Sequence, residues 1–330
     1  MAEVVATLAT IAIPTFNRAE LLKRAIASAR AQDYPSVEIL IVDNASEDAT
    51  QEICQALAAE DPRIRYMRQP RNVGPTRNFE TGLENARGHY FMWLADDDWI
   101  TSNYVRRCVE ELEDGGHAIV VGRDYWYFRD NAVAEPIVTA LEAYPAPRML
   151  NYLRMVSSNA ATYGLSRTKD LREQLPIPRR LAGDWVWVIA MLSKGTLDVV
   201  PDAQLFRDPG GLSLDLHDLA VQSGYGKLVS WFPRMLGIVN VFTSIARGRG
   251  FRCPRSGSAR LIFAVRASLV VTLKLNPLED LISLVQLTVR RFMSNRVYDV
   301  LRICYRPIRR IEHRIKSRVL STPERPFRRD

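Results

Sequence analysis

Several chemistries are excluded by what this 330-residue chain does not contain. Its four cysteines, Cys54, Cys108, Cys253 and Cys304, lie far apart with no CxxC spacing. They point to neither a zinc site nor a disulfide framework and suit a reducing compartment. The four histidines are just as scattered. No Gly-x-Gly-x-x-Gly follows the first apolar strand and no Gly-Lys-Ser/Thr phosphate loop occurs, so dinucleotide oxidoreductases and P-loop enzymes fit poorly. No uninterrupted apolar run reaches the roughly 18 residues of a membrane-spanning helix. The opening Met-Ala-Glu-Val-Val has no basic segment, so no signal peptide is expected.

Charge is plentiful but unevenly placed. The net charge is +8, yet residues 247–330 hold 20 Lys+Arg against 6 Asp+Glu, a balance of +14, while the rest of the chain balances at −6. This step predicts a catalytic domain over 1–230 and a basic helical region over 231–330. Within that region Val297, Val300, Leu301, Cys304, Ile308, Ile311, Ile315 and Val319 recur at steps of three and four, with Arg302, Arg306, Arg309, Arg310 and Lys316 falling largely between them. Pro307 splits or kinks the stretch. Residues 261–275 form a further apolar run, broken by Arg266, Lys274 and small polar residues. Basic amphipathic helices suit an anionic membrane surface; packing on the catalytic domain or a partner subunit is the alternative. Nucleic acid is not expected as a partner, because the tail has few aromatics to stack on bases and no known module. Oligomeric state is not legible.

Along the first hundred or so residues, apolar strands alternate with amphipathic helices. Thr7-Leu8-Ala9-Thr10-Ile11-Ala12-Ile13 reads as a strand that ends in Pro14-Thr15-Phe16-Asn17-Arg18, followed by a helix over about 19–32. A second strand, 37–42, ends in Asp43-Asn44-Ala45-Ser46 and precedes a helix over about 47–59. A short strand, 64–68, leads through Asn72-Val73-Gly74-Pro75-Thr76-Arg77-Asn78 into a helix that ends near Gly88. Polar clusters at the carboxyl end of each strand are the pattern of a mostly parallel open sheet with its ligand crevice on one edge.

The apolar run Tyr90-Phe91-Met92-Trp93-Leu94-Ala95 then leads directly into Asp96, Asp97 and Asp98. Three adjacent carboxylates repel one another unless a cation or a sugar hydroxyl compensates them. At a strand exit they are expected to face the solvent of the crevice. The plainer alternative is an acidic helix start, capped by Asp98 or Ser102.

Taken together, Ile13-Pro14-Thr15-Phe16-Asn17-Arg18, Val42-Asp43-Asn44-Ala45-Ser46, Asn72-Val73-Gly74 with Arg77-Asn78, and Leu94-Ala95-Asp96-Asp97-Asp98 resemble, in order and in gaps, the family 2 glycosyltransferases with a GT-A fold. The loop version looks most like the branch that attaches sugars to bacterial O-antigen and capsule repeats. The resemblance implies an α/β GT-A fold, a mostly parallel open sheet flanked by helices. It also implies an inverting, metal-dependent glycosyltransferase that moves a sugar from a nucleotide-diphosphate donor to a hydroxyl of a lipid-linked saccharide or polysaccharide acceptor. Such an enzyme would work as a peripheral protein at the cytoplasmic face of the inner membrane. Pro14, Thr15 and Phe16 would line the base, and Asp43 would accept from a base N–H or merely cap the next helix. Arg18 and Arg77 would reach diphosphate oxygens, because guanidinium pairs bidentately; Arg77 is otherwise a solvated loop residue. Asn72 and Gly74 would let backbone approach the nucleotide. Asp97 or Asp98, depending on register, would hold Mg2+ or Mn2+ through oxygen ligands, with Asp96 a spare or a sugar contact.

Gly183-Asp184-Trp185 resembles the family's acidic-Asp-Trp motif, whose Asp is the general base, so Asp184 would take the acceptor proton. Its plainer role is an N-cap before the apolar run 186–192. Asp208-Pro209-Gly210-Gly211-Leu212-Ser213 resembles a stretch that begins with His in the family; here Asp208 would coordinate the metal or repel the diphosphate. Ala95, where relatives carry the first acid of Asp-x-Asp-Asp, and Gly183, in place of an acid, are further departures. Two rival readings remain. A nucleotidyltransferase typically carries a glycine-rich first loop, and residues 14–18 contain no glycine. A non-catalytic module recruiting a sugar-assembly complex would have little use for so many carboxylates.

Overall fold

The computed structural model describes residues 6–128, 131–156, 159–177, 181–209, 232–248, 251–252 and 256–275. The amphipathic stretch expected around 297–319 lies outside them. The chain divides into two units. One comprises Met1–Arg179, Asp184–Leu214 and Gly248–Cys253, and the other Arg180–Gly183, Asp215–Arg247 and Pro254–Asp330.

The first unit is built on β1 (Ala9–Thr15), β2 (Val37–Asp43), β3 (Ile64–Arg68) and β4 (Tyr90–Trp93), all parallel, with β8 (Ser166–Arg167) antiparallel at the edge; the strand order is β3-β2-β1-β4-β8. Every residue of β1, β2 and β4 is buried, as expected of parallel strands covered on both faces. Helices α1 (Ala19–Arg30), α2 (Thr50–Glu60) and α3 (Pro75–Asn85) make the crossovers. On α1 the buried set Ala19, Leu22, Ala25, Ile26 and Ala29 follows the three-four step of an apolar helix stripe. The chain runs outward from β1 to β3 and then returns to the other side of β1 with β4. The reversal of strand order makes the carboxyl ends of β1 and β4 the place where such sheets open a crevice.

Two backbone positions at that end lie in the left-handed region without being glycine, Asn17 after β1 (φ 52°) and Ala45 after β2 (φ 65°). Strain of this sort concentrates at functional sites. At the opposite end of β4, a Cβ on Gly88 would come within 2.6 Å of the Thr10 amide nitrogen and the Tyr90 carbonyl oxygen, so only glycine lets the chain enter the strand there.

A second sheet, of order β5-β9-β6-β7, was not foreseen. It contains β5 (Trp99–Ile100), β6 (His117–Phe128), β7 (Asn131–Ala134) and β9 (Thr196–Arg207), with β6 and β9 parallel. Helix α4 (Tyr104–Asp114) packs on β6 and β9. The three aspartates therefore do not start a helix: β5 follows them and α4 begins only at Tyr104. Helices α5 (Pro145–Met155), α6 (Thr168–Arg172) and α7 (Gly183–Leu192) complete the described part, with a 3-10 turn over Ala160–Tyr163.

In the second unit the described residues form α8 (Pro233–Arg247) and α9 (Gly257–Leu275), which pack on one another. Helix α9 is apolar on two sides. Phe263, Ala264, Ala267 and Val271 are buried, whereas Leu261, Ile262, Val265 and Leu269, which fall on one arc at helical spacing, are 45–63% exposed. Among the described residues no helix is long and apolar enough to cross a membrane.

Candidate active site

The loops after β1, β2 and β4 are tied together at the crevice. Thr15 Oγ1 donates to Asp96 Oδ2 (2.8 Å), and Arg18 Nη1 reaches Asp96 Oδ1 (3.2 Å) and Asp97 Oδ2 (2.7 Å). From α1, Arg24 Nη2 donates to the backbone oxygen of Asp97 (2.6 Å) and to Asp208 Oδ2 (3.0 Å), with its guanidinium 3.8 Å above the Trp99 ring. Asp98 Oδ1 accepts from the Asp208 amide (3.0 Å). Thr15, Arg18, Asp96, Asp97, Asp98 and Asp208 are thus one connected cluster.

The carboxylates were expected to face solvent, but Asp96, Asp97 and Asp98 are only 7%, 6% and 4% exposed. Their adjacency to β5 and the end of β9 closes over them. Burial pushes Asp96 up to about 6, with Asp97 adding to the rise and Thr15 and Arg18 opposing it. Burial, then the charge of Asp97, pushes Asp98 up to about 8, against the pull of Arg207 and the Asp208 amide. Oxygen ligands alone, crowded and desolvated, are a donor set that fits a hard divalent cation.

Asp43, at the end of β2, is fully buried and already well supplied. Its Oδ1 accepts from the Ser46 amide (2.8 Å), and its Oδ2 accepts from the Tyr66 hydroxyl (2.6 Å) and Arg68 Nη1 (2.7 Å). Asn72 Oδ1 accepts from Asn44 Nδ2 and from the Gly74 amide, both at 2.9 Å, while Asn44 Oδ1 accepts from the Val73 amide (2.8 Å). These bonds hold the loop against the end of β2, and Gly74 (φ 83°) turns it into α3, where Pro75 takes the first helical position. Pro14 is buried in β1 and Phe16 is 40% exposed beyond it, leaving a ring face open to a ligand. Arg77 is not joined to the acidic cluster by these bonds. Its guanidinium clamps Glu84 through two hydrogen bonds (2.6 and 2.8 Å) and reaches Glu80 (3.2 Å), all on its own helix.

Asp184 sits in the first turn of α7, one residue inside the helix, so it is not the cap. Trp187, one turn on, packs edge-to-face on Trp93 at the end of β4 (5.5 Å between centroids), which fixes α7 beside the exit of that strand. The Asp184 carboxyl reaches solvent, yet enough protein surrounds it for desolvation to raise its pKa, while the Asn159 amide pulls the other way. Asn159 Nδ2 donates to Asp184 Oδ2 (2.7 Å), and Asn159 Oδ1 accepts from the buried Tyr152 hydroxyl. Arg207 acts electrostatically on both Asp98 and Asp184 and stacks on Trp126 (4.3 Å).

Sequence reasoning missed Arg24, Trp99, Asn159, Tyr152 and Arg207. Arg24, Trp99 and Asn159 act across long sequence separations and Tyr152 acts only through Asn159, so no local signal marks them; Arg207 directly precedes the Asp208 stretch and was open to notice. Residues 210–213 of that stretch lie outside the described residues.

Residues 10–167 match the model of glycosyl transferase family 2. The chain is similar to the GalNAc(5)-diNAcBac-PP-undecaprenol beta-1,3-glucosyltransferase of Campylobacter jejuni, at 36% identity over 32% of this chain and 35% of that protein. It is also similar to the succinoglycan biosynthesis protein ExoO of Rhizobium meliloti, at 36% identity over 34% of this chain and 32% of the other. The chain therefore matches about a third of the length of these curated relatives. Its fold is that of the mannosyltransferase PcManGT from Pyrobaculum calidifontis, solved with GDP-Man and Mn2+, at a TM-score of 0.54 and 16% identity over 94% of this chain and 84% of that one.

Proposed function

We propose that this chain, whose residues 10–167 match the model of glycosyl transferase family 2, is an inverting, metal-dependent transferase. It would move a sugar from a nucleotide-diphosphate donor to a hydroxyl of a lipid-linked saccharide or polysaccharide acceptor. The observation that carries the reading is the convergence of Thr15, Arg18, Asp96, Asp97, Asp98 and Asp208 at the switch point of the sheet, with Asp184 on a helix fixed to the end of β4. The family match, the glucosyltransferase relative and the GDP-Man and Mn2+ bound to the structural neighbour support it.

In this reading the Phe16 ring offers a face to the base, and Arg18 neutralises the paired charges of Asp96 and Asp97. A divalent cation held by Asp97, Asp98 and Asp208 would supply charge neutralisation at the departing diphosphate. Asp184 accepts the acceptor hydroxyl proton as the acceptor oxygen bonds to the anomeric carbon from one face. The bond to the diphosphate oxygen breaks on the other, and the electron pair leaves with the nucleoside diphosphate. A raised pKa on Asp184 suits this task, because a base poised nearer neutrality takes a proton more readily. Asn159 holds the carboxylate by donating to Oδ2, alongside hydrogen bonds from the backbone of Asp184 and Trp185. The exposed apolar arc of α9, Leu261, Ile262, Val265 and Leu269, supports association with the cytoplasmic membrane face, where a lipid-linked acceptor would be presented.

Asp184→Asn tests the base. Transfer is expected to fall roughly 10²- to 10⁴-fold while donor affinity, measured by calorimetry, stays at the wild-type value. Full activity, or loss of donor binding with it, overturns the role.

A further inference from the structure

At the end of β6 and β9 farthest from the carboxylate crevice, side chains from three elements meet. Glu111 comes from the last turn of α4, His117 opens β6 and Asp198 is the third residue of β9. One ligand-capable atom of each lies within 4.8 Å of the other two. We propose that Glu111, His117 and Asp198 form a second metal site, for a zinc-class divalent ion, separate from the carboxylate crevice.

Four observations carry it. His117 Nε2 is 3.3 Å from Glu111 Oε1, and ligand atoms around tetrahedral zinc, each about 2.0–2.1 Å from the metal, stand about 3.3 Å from one another. His117 Nδ1 lies 2.8 Å from Thr196 Oγ1; a partner on the second ring nitrogen fixes tautomer and orientation, as metal-binding histidines require. Gly115 makes room for the ring, since a Cβ there would stand 2.2 Å from Nε2. Lastly, the end of α4 has the wrong charge for its dipole. Glu110, Glu111, Glu113 and Asp114 crowd a helix carboxyl terminus with no base in the last turn, where a cation is favoured and an anion is not. Arg167 answers part of this by donating to the Leu112 carbonyl (2.7 Å) and lying 3.7 Å from Glu113, and Arg106 and Arg107 take Glu110. Glu111 is left facing His117 and Asp198.

One Asp198 oxygen accepts from the Val199 amide (2.7 Å), and the carboxylate keeps a second oxygen for a ligand. An imidazole nitrogen with two carboxylates selects a transition ion such as zinc over Mg2+ or Ca2+. The fourth position would take water. Ten residues of β9 lie between Thr196 and Arg207, roughly 36 Å of extended strand. The ion would thus hold α4 to the starts of β6 and β9 and would take no part in transfer.

The test uses the full chain, stripped with chelator and titrated with Zn2+ and with Co2+ as a spectroscopic reporter. One equivalent of Co2+ should give an intense visible band of tetrahedral type, and Zn2+ should displace it and raise the melting temperature. His117→Ala and Asp198→Asn should each weaken binding at least tenfold, with Glu111→Gln as the milder variant should either fail to fold. Asp98→Asn should leave the Co2+ band unchanged, which distinguishes this site from the crevice. No stoichiometric Co2+ or Zn2+ binding, or binding equal in wild type and His117→Ala, overturns the proposal and leaves an ion pair only.

Discussion

Two strand ends on the same side of one sheet carry buried carboxylates in opposite circumstances. Asp43, after β2, receives a backbone amide, a tyrosine hydroxyl and a guanidinium. Asp98, after β4, receives one backbone amide and sits beside Asp97, and its pKa is pushed to about 8. Both look alike as strand-end acids in a sequence. The difference teaches that the β2 end is finished by the protein itself, whereas the β4 end keeps crowded carboxylates with few donors, the arrangement that a cation would complete in the proposed function.

The largest effect that could break this comparison is on turnover. Asp98→Asn should lower metal-dependent transfer about 10³-fold, which corresponds to the several kilocalories that charge neutralisation contributes. Asp43→Asn should lower it by less than about tenfold at saturating donor, because Asp43 is held by Ser46, Tyr66 and Arg68 and any contact it made to a base would be felt equally in ground and transition states. Equal losses in the two variants, from steady-state rates across a donor series, would erase the distinction.

The next effect is on stability, and its sign is opposite at the two ends. The native state holds the Asp98 proton up to about pH 8, while the unfolded chain releases it near the ordinary carboxylate value. Stability from this group is therefore complete below about pH 4 and is lost progressively as pH rises to about 8. Asp98→Asn removes that loss. The cation-free variant should exceed wild type by up to a few kcal/mol at pH 9 and match it near pH 4, at about 1.4 kcal/mol per pKa unit. Urea melts at both pH values, with chelator, give the answer; a destabilised variant at pH 9 contradicts it. Smallest is the cost of opening the β2 end. Asp43→Asn should lose about 1–3 kcal/mol at pH 7 by weakening the bonds from Tyr66 and Arg68 and setting an amide against the Ser46 amide. A melting curve that coincides with wild type would show that those partners are dispensable.

Much of the first sheet was legible because β1, β2 and β4 are buried on both faces and read as continuous apolar runs. The helix over 19–32 and the strand over 64–68 were placed within two residues of α1 and β3. The acidic run and Asp184 stood out because carboxylates rarely adjoin apolar segments without reason. The second sheet was not legible. Two-residue β5 carries no period, and β6 meets β9 across a gap of more than sixty residues with two shifts in register. Arg18 and Arg77 look equivalent as loop arginines, yet one pairs with Asp96 and Asp97 and the other with Glu84. Choice of partner is a tertiary fact, set by which helix turn faces which strand end.

Arg24 grips the acidic loop by the carbonyl of Asp97 and leaves the carboxylate alone. A tether to the peptide oxygen does not slacken when a neighbouring side chain gains a proton, loses one or is replaced by its amide. This one mooring is thereby independent of the ionisation of the loop's acids, unlike those from Thr15 and Arg18, and the indole of Trp99 is the bed on which it rests. Changes of pH and charge should accordingly act on the Thr15 and Arg18 contacts, while the backbone at Asp97 stays tied to α1.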